Sequence, residues 1–256
     1  MTTLHEAQED YIKHWKKNAE QHFRDGDYDW VASLVKKSDA QRILEIGCGV
    51  GYSTLALANR GIQALSIDSI PEAIEETLNL LNSYGVSVGI LGDGTKPGMI
   101  LKQADVIEDY ETVSSYTKWI DLILICNPGG KLETDLTKSE IEMLHWGKYS
   151  DNQMQEETAQ SLHKWALLIA AARLAKENEK KLVIVDRGDI EELEPVLDVM
   201  QISTGMRGVG KAIREIKNAP EDGIQLDGRK AGKLFWGAGL YEPRPFQSLC
   251  KLKKLM

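Results

Sequence analysis

Cysteine is scarce in this chain. Three in 256 residues, Cys48, Cys126 and Cys250, form no Cys-x-x-Cys pair, which excludes a disulfide framework and a zinc cluster of that type. Long apolar runs are missing too. None approaches the ~18 uninterrupted apolar residues of a membrane helix, so no membrane is expected among the partners. The first ten residues are polar and acidic and carry neither a signal-peptide core nor a transit-peptide pattern, which points to the cytoplasm. Pro/Gly/Ser linkers, internal repeats and low-complexity segments are also lacking, and residues 1–256 read as one domain. Basic charge is in deficit, with 31 Lys and Arg against 39 Asp and Glu for a net charge of −8. That counts against broad nucleic-acid binding. The deficit is uneven, because residues 205–256 hold 11 basic against 5 acidic side chains and the rest of the chain 20 against 34. This basic tail reads as a solvated face. His5, His14 and His22 lie nine and eight residues apart, a spacing that does not gather ligands on one helix face, and no metal is expected.

What is present is alternation. Residues 5–24 and a second segment through Lys37 have helical spacing, which makes residues 1–38 a helical cap. From there apolar strands and helices take turns. Strands are expected at Arg42–Ile46, Ala64–Ile67, Val86–Leu91, Trp119–Cys126 and Lys181–Val185. Helices are expected at Tyr52–Asn59, Pro71–Tyr84, near 98–104, near 138–146, near 154–178 and at Ile190–Met200. Thr137 and Glu140 have capping-box spacing. The tail offers strands at Ala212–Ile216, Leu234–Tyr241 and Phe246–Lys251. The pattern predicts an α/β fold, a doubly wound, mainly parallel seven-stranded sheet with an antiparallel C-terminal edge pair and helices on both faces. Ligands of such sheets sit at the carboxyl ends of the strands.

One loop stands at such an end. Glu45-Ile46-Gly47-Cys48-Gly49-Val50-Gly51-Tyr52 runs from strand through tight turn to helix. Glycines at alternate positions let backbone approach a ligand where a Cβ would collide. A dinucleotide loop needs G-x-G-x-x-G, but Tyr52 stands where its last glycine belongs. No Gly-Lys-Ser/Thr follows, so a phosphate loop of the Walker type is excluded as well.

With Glu45, Gly47, Gly49 and Gly51 in this order, the chain resembles the class I S-adenosylmethionine-dependent methyltransferases. The resemblance extends to Asp68-Ser69-Ile70 after the second strand, to Asp93-Gly94 after the expected third and to Asn127-Pro128 after the fourth. It covers residues 40–130 by motif and the remainder by element order. It implies that Gly47, Cys48, Gly49 and Gly51 cradle the cofactor S-adenosyl-L-methionine and that Glu45 fixes the loop. It also implies that Asp68, with Ser69 and Ile70, holds the ribose, and that Asp93 and Gly94 receive the adenine. Asn127 would lie beside the methyl group, and Tyr11 of the N-terminal helix would reach the cofactor carboxylate.

The acceptor is less legible. Methyl transfer from an activated donor asks the protein mainly to align the nucleophile and exclude water, with a base only where the nucleophile arrives protonated. Asn127 and His145 are the catalytic candidates, and the long connection 127–180 is the expected lid over the acceptor. Trp146 and Tyr149 either wall a pocket or pack helices, while His163 and Trp165 read as packing or surface residues. The leading expectation is transfer to an O or N nucleophile of a small molecule. The alternatives are an N-methyltransferase of a nucleic acid or protein, using Asn127-Pro128 with Gly129 in place of a second proline and Gly130 in place of a stacking aromatic, and a cofactor-binding subunit without catalysis. The sequence leaves the oligomeric state open.

Overall fold

Leu122–Cys126 is apolar and buried at every position, the condition of a strand covered on both faces. In the computed structural model it lies near the middle of an eight-stranded sheet. The structure describes residues 4–89, 98–128, 135–188, 206–216 and 235–243, the side chains of residues 4–11, His14 and Phe235 excepted. The elements are α1 (Leu4–Arg24), α2 (Asp27–Lys37), β1 (Arg42–Ile46), α3 (Tyr52–Asn59), β2 (Gln63–Asp68), α4 (Pro71–Ser83), β3 (Val88–Gly89) and β4 (Met99–Gln103). They continue with α5 (Tyr110–Tyr116), β5 (Leu122–Cys126), α6 (Lys138–Trp146), α7 (Asp151–Glu156), α8 (Ala159–Glu177), β6 (Lys181–Gly188), β7 (Met206–Glu215) and β8 (Phe235–Pro243).

The strand order is β3-β4-β2-β1-β5-β6-β8-β7, parallel through β6 and antiparallel at the β8–β7 edge. This is the expected doubly wound sheet with its antiparallel pair, but it has eight strands rather than seven. The difference lies at the third strand. The expected Val86–Leu91 contributes only the two-residue edge β3, and β4, in a stretch expected to be helical, pairs with β2 from Ala64↔Met99 to Asp68↔Gln103. Met99 and Ile100 are buried on opposite faces of the sheet, which suits the strand period of two and not a helix. The helix expected near 154–178 is two helices, α7 and α8, each with its own serine or threonine cap, Ser150 and Thr158. The capping box at Thr137 and Glu140 is present. The helix expected at Ile190–Met200 and the strand at Phe246–Lys251 lie outside the described residues.

Side chains alternate between two cores. Ile123 and Ile125 face α6 and α8, while Leu122 and Leu124 face the layer of α1–α4. No helix among the described residues is long and apolar enough to cross a membrane.

The N-terminal cap is tied to the far end of the chain by a buried network. His22 Nδ1 lies 2.8 Å from Asp27 Oδ2, and Arg214 of β7 donates through Nε to Asp27 Oδ1 at 2.8 Å and through Nη2 to the Asp25 carbonyl at 2.8 Å. Burial raises the pKa of Asp27, but the hydrogen bonds and charges of His22 and Arg214 outweigh it, and the net shift is downward. Asp27 therefore contributes stability above its unfolded pKa of about 4, and that stability is lost as the pH falls through the lower folded value. Removing one partner of a buried pair typically costs about 3–5 kcal/mol. Asp27→Ala is expected to lower stability by about 3 kcal/mol at neutral pH, by denaturant unfolding. The difference from wild type should shrink under acid, and a constant difference down to pH ~2 would contradict the Asp27 assignment.

Candidate functional site

A cavity of about 390 Å³ opens at the carboxyl ends of β1, β2, β4 and β5. Its floor is the loop after β1. The N–H groups of Gly47 and Cys48 both donate to the Ile67 carbonyl, at 2.8 and 3.1 Å, so the loop is stitched to the end of β2. Gly47, Gly49 and Gly51 all have positive φ, at 76°, 55° and 86°. A Cβ on Gly51 would lie 2.9 Å from the Thr77 Cα, where backbone blocks it, whereas the space a Gly47 Cβ would fill has no protein atom within 4 Å. The first glycine packs α3 against α4; the second leaves room on the cavity side.

Glu45 does not line the cavity. It is fully buried and accepts from Ser53 Oγ, Thr54 Oγ1 and Ser66 Oγ at 2.5–2.6 Å. Burial pushes its pKa up, and the three hydroxyls oppose that. Asp68 does line the cavity, accepting from the Gly49 N–H at 2.9 Å and the Ile70 N–H at 3.0 Å, one on each oxygen. Burial raises its pKa against these two backbone donors. Ser69, Ile70 and Cys48 line the same wall, and burial, with Asp68 and Glu45 nearby, holds the Cys48 thiol well above its usual range. Asp93 and Gly94 lie outside the described residues.

The strand beside β2 is β4, and the side chain that follows it into the cavity is Asp105. Its Oδ1 accepts from the Ile107 and Glu108 N–H groups at 2.8 and 3.3 Å, which fixes the carboxylate at the head of a turn. Sequence reading passed over Asp105 because it placed the third strand one segment too early. The signal available was the buried pair Met99-Ile100 running into Ala104-Asp105-Val106.

α1 covers the loop with Ile12, Trp15 and Ala19, spaced three and four residues apart on one helix face. Trp15 Nε1 would lie 3.3 Å from a Cβ on Gly49, and its ring stacks with the Arg187 guanidinium at 5.5 Å. The side chain of Tyr11, one turn earlier, is outside those described.

On the acceptor side Asn127 and Pro128 line the cavity directly after β5. Asn127 has φ 52°, uncommon for a non-glycine residue, and its N–H donates to the Val185 carbonyl at 2.7 Å. Gly129 and Gly130 lie outside the described residues. His145 is not brought to the cavity. It sits on the outer face of α6, its side chain 48% exposed, with Nε2 2.9 Å from Asp151 Oδ1. Trp146 and Tyr149 do not line it either; Trp146 lies under Arg173, and Tyr149 packs on Trp165. The α6 and α8 side chains at the cavity are Glu140, His163 and Leu167, with His163 Nδ1 2.8 Å from Glu140 Oε1. Among the described residues no three His, Cys, Asp or Glu side chains gather as metal ligands would.

No protein-family model and no curated protein sequence matches the chain. Solved structures do. A SAM-dependent methyltransferase from Agrobacterium tumefaciens superposes with a TM-score of 0.51 at 14% identity, over 87% of this chain and 62% of that one. The N-methyltransferase NodS from Bradyrhizobium japonicum gives 0.48 at 14% identity, over 87% and 97% of the two chains. The chain has the class I methyltransferase fold.

Within that fold the glycines of the first loop make different demands. Gly51→Ala forces a Cβ onto the backbone of α4 at a positive φ, and it is expected to cost more than ~1 kcal/mol by thermal or denaturant unfolding. Gly47→Ala meets only the cost of its φ, so it should unfold closer to wild type. Equal destabilisation of the two would contradict the different packing assigned to them.

Proposed function

We propose that this chain is an S-adenosylmethionine-dependent methyltransferase acting on a small molecule. The observation that carries the reading is the row of groups along one cavity: the Gly47–Gly51 loop, Asp68, Asp105 and Asn127-Pro128, at the ends of four adjacent strands. Open space at the Gly47 Cβ position is where a bulky ligand comes close to the backbone. Each Asp68 oxygen already accepts one backbone N–H and keeps lone-pair capacity for a second donor. That is the requirement for holding two vicinal ribose hydroxyls. Asp105 takes the adenine-side role first expected of Asp93, because it follows the strand that neighbours β2. Trp15 and Ile12 close the cavity from above, which excludes water from the reacting centre.

Bound there, S-adenosylmethionine supplies a methyl group already activated on a sulfonium. The chain's own task is alignment. The αL turn at Asn127 carries its side chain past the end of β5, and Pro128 and Leu167 wall the space beyond it.

A small acceptor is favoured over nucleic acid by the net charge of −8. Arg214 is engaged with Asp27 and the Asp25 carbonyl, and Arg207 pairs with Glu242 at 3.6 Å. These two arginines of the tail are engaged with groups of the protein itself.

Calorimetric titration with S-adenosylhomocysteine tests the cofactor site without any acceptor. Wild type is expected to bind in the micromolar range, and Asp68→Ala to bind at least ~30-fold more weakly with its circular dichroism unchanged. Unchanged affinity would remove Asp68 from the site. Asp105→Asn keeps the acceptor that fixes the turn but replaces one oxygen by a donor. It is expected to weaken S-adenosylhomocysteine about 10-fold with its circular dichroism unchanged. If Asp93→Asn has that effect and Asp105→Asn has none, the adenine assignment reverts to Asp93.

A further inference from the structure

The strand next to β5 ends in a cation without a counter-ion. Val185 of β6 pairs with Cys126, and its carbonyl accepts the Asn127 N–H. Arg187, two residues on, therefore stands about 6–7 Å further along, past the end of β5 and level with Asn127-Pro128. Val183 and Val185 face the α1–α4 layer, and the strand period of two puts Arg187 on the same face. There its Nη1 lies 3.2 Å from His22 Nε2, and its Cζ lies 5.5 Å from the centre of the Trp15 ring. The side chain is half-buried, and no carboxylate among the described residues pairs with it. A cation withdrawn from water and left unpaired is costly.

Arginine donates and cannot accept, so His22 Nε2 accepts and its Nδ1–H donates to Asp27, which also takes Arg214. Along this row of side chains two guanidinium charges meet one carboxylate, and the charge left over is that of Arg187. Other carboxylates nearby are engaged elsewhere. Glu45 holds three hydroxyls, and Asp186, on the opposite face of β6, pairs with Lys164. Two further donors stand close by. Tyr28 and Trp15 line the cavity, and neither the Tyr28 hydroxyl nor the Trp15 indole N–H has a hydrogen-bond partner among the described residues. Burial, with Cys126 beside it, pushes the Tyr28 phenol well above its usual range, so it remains an O–H donor. The charge of Arg187 pulls the other way, which puts the guanidinium within electrostatic reach of that hydroxyl. Donors gather here, and nothing of the protein accepts from them but His22.

We propose that Arg187, with Tyr28 and Trp15, is a carboxylate subsite for the acceptor, a small carboxylic acid whose nucleophile lies one or two carbons from the carboxylate. This rests on the methyltransferase reading above. Adenine, ribose and the reacting methyl are assigned there to the ends of β4, β2 and β5. Arg187 lies one strand beyond the last of these, on the side away from Asp68. A guanidinium can give a carboxylate two parallel N–H bonds, and only one N–H of Arg187 is committed, to His22. Neighbouring strand ends are about 5 Å apart, a gap that a short acid spans with one hydrogen bond at its carboxylate end. A longer acid would carry its nucleophile past Asn127. An uncharged acceptor would leave the guanidinium charge uncompensated.

Acetate is the probe, with acetamide as its uncharged counterpart, added to the full chain saturated with S-adenosylhomocysteine. Relaxation of the probe's methyl protons reads binding. In protein labelled with nitrogen-15 at arginine, the Arg187 side-chain signal, assigned by its loss in Arg187→Gln, reads the place. Acetate is expected to bind in the millimolar range and to shift that signal saturably, and acetamide to bind at least ~10-fold more weakly. Arg187→Gln keeps an N–H donor toward His22 Nε2 and removes the charge, so it should weaken acetate at least ~10-fold. The cofactor's own carboxylate is the rival occupant, and 5′-methylthioadenosine, which lacks the amino-acid tail, separates the two. Acetate should bind alike whichever nucleoside fills the cofactor site, and Arg187→Gln should change the affinity for S-adenosylhomocysteine less than ~3-fold. Acetate binding beside methylthioadenosine but not beside S-adenosylhomocysteine, or a larger loss of S-adenosylhomocysteine in that variant, gives the subsite to the cofactor and overturns the proposal. In wild type alone, equal binding of acetate and acetamide, or an unmoved Arg187 signal, overturns it as well. If wild type binds S-adenosylhomocysteine and acetate does not bind, the subsite falls and the cofactor reading stands. If wild type does not bind S-adenosylhomocysteine, the cofactor reading falls first.

Discussion

One buried carboxylate organises the donor half of this protein. Glu45 lies in β1 with no exposed surface, where an ionised group would be costly if left alone. Three hydroxyls from two other elements, Ser53 and Thr54 at the start of α3 and Ser66 in β2, converge on it. The first turn of α3 adds its positive helix end. These bonds tie β1 to the start of α3 and to β2, so the loop between Glu45 and Ser53 has both ends fixed. Ser66 brings Asp68 two residues further along the same strand, on the same side, and Asp68 then accepts from Gly49 in the middle of that loop. The ligand-facing carboxylate is placed by the buried one.

The acceptor half depends on helices rather than on strand ends. α6 and α8 meet across Gly147, where a Cβ would lie 2.4 Å from Ile169 Cδ1, so the two helices approach closely enough for Glu140 and His163 to bond. α1 lies over the other side of the cavity and is held in place by the His22–Asp27–Arg214 network. Closure of the site therefore draws on β7, nearly two hundred residues from α1 in the chain. The basic tail that looked like a surface feature is in part a structural anchor.

How much of this was legible in the sequence follows from the distance between the groups that cooperate. Gly47, Gly49, Gly51 and Asp68 lie within one strand–loop–helix–strand unit, and local chemistry fixes their spacing, so they could be read directly. Asp105 could not. The edge strand at Val88–Gly89 drew the expected third strand one segment too early, and with it the carboxylate that follows. Propensity does not distinguish a two-residue edge strand from the strand that pairs with β2; sheet register does.

His145 and His163 illustrate the same limit from the other direction. Both lie on helices of the same layer, and both have a carboxylate partner at 2.8–2.9 Å. His145 and Asp151 are six residues apart and meet at the surface, where the pair is exposed to water and screened. His163 and Glu140 are 23 residues apart and meet only because α6 and α8 pack face to face. Glu140 was visible as a helix-capping residue, and that reading was correct but incomplete: one oxygen caps the helix, and the other faces the histidine. A side chain with two acceptor oxygens can satisfy a local rule and a tertiary one at once, and sequence periodicity reveals only the first. The burial of the pair separates it from His145, whose ring is 48% exposed.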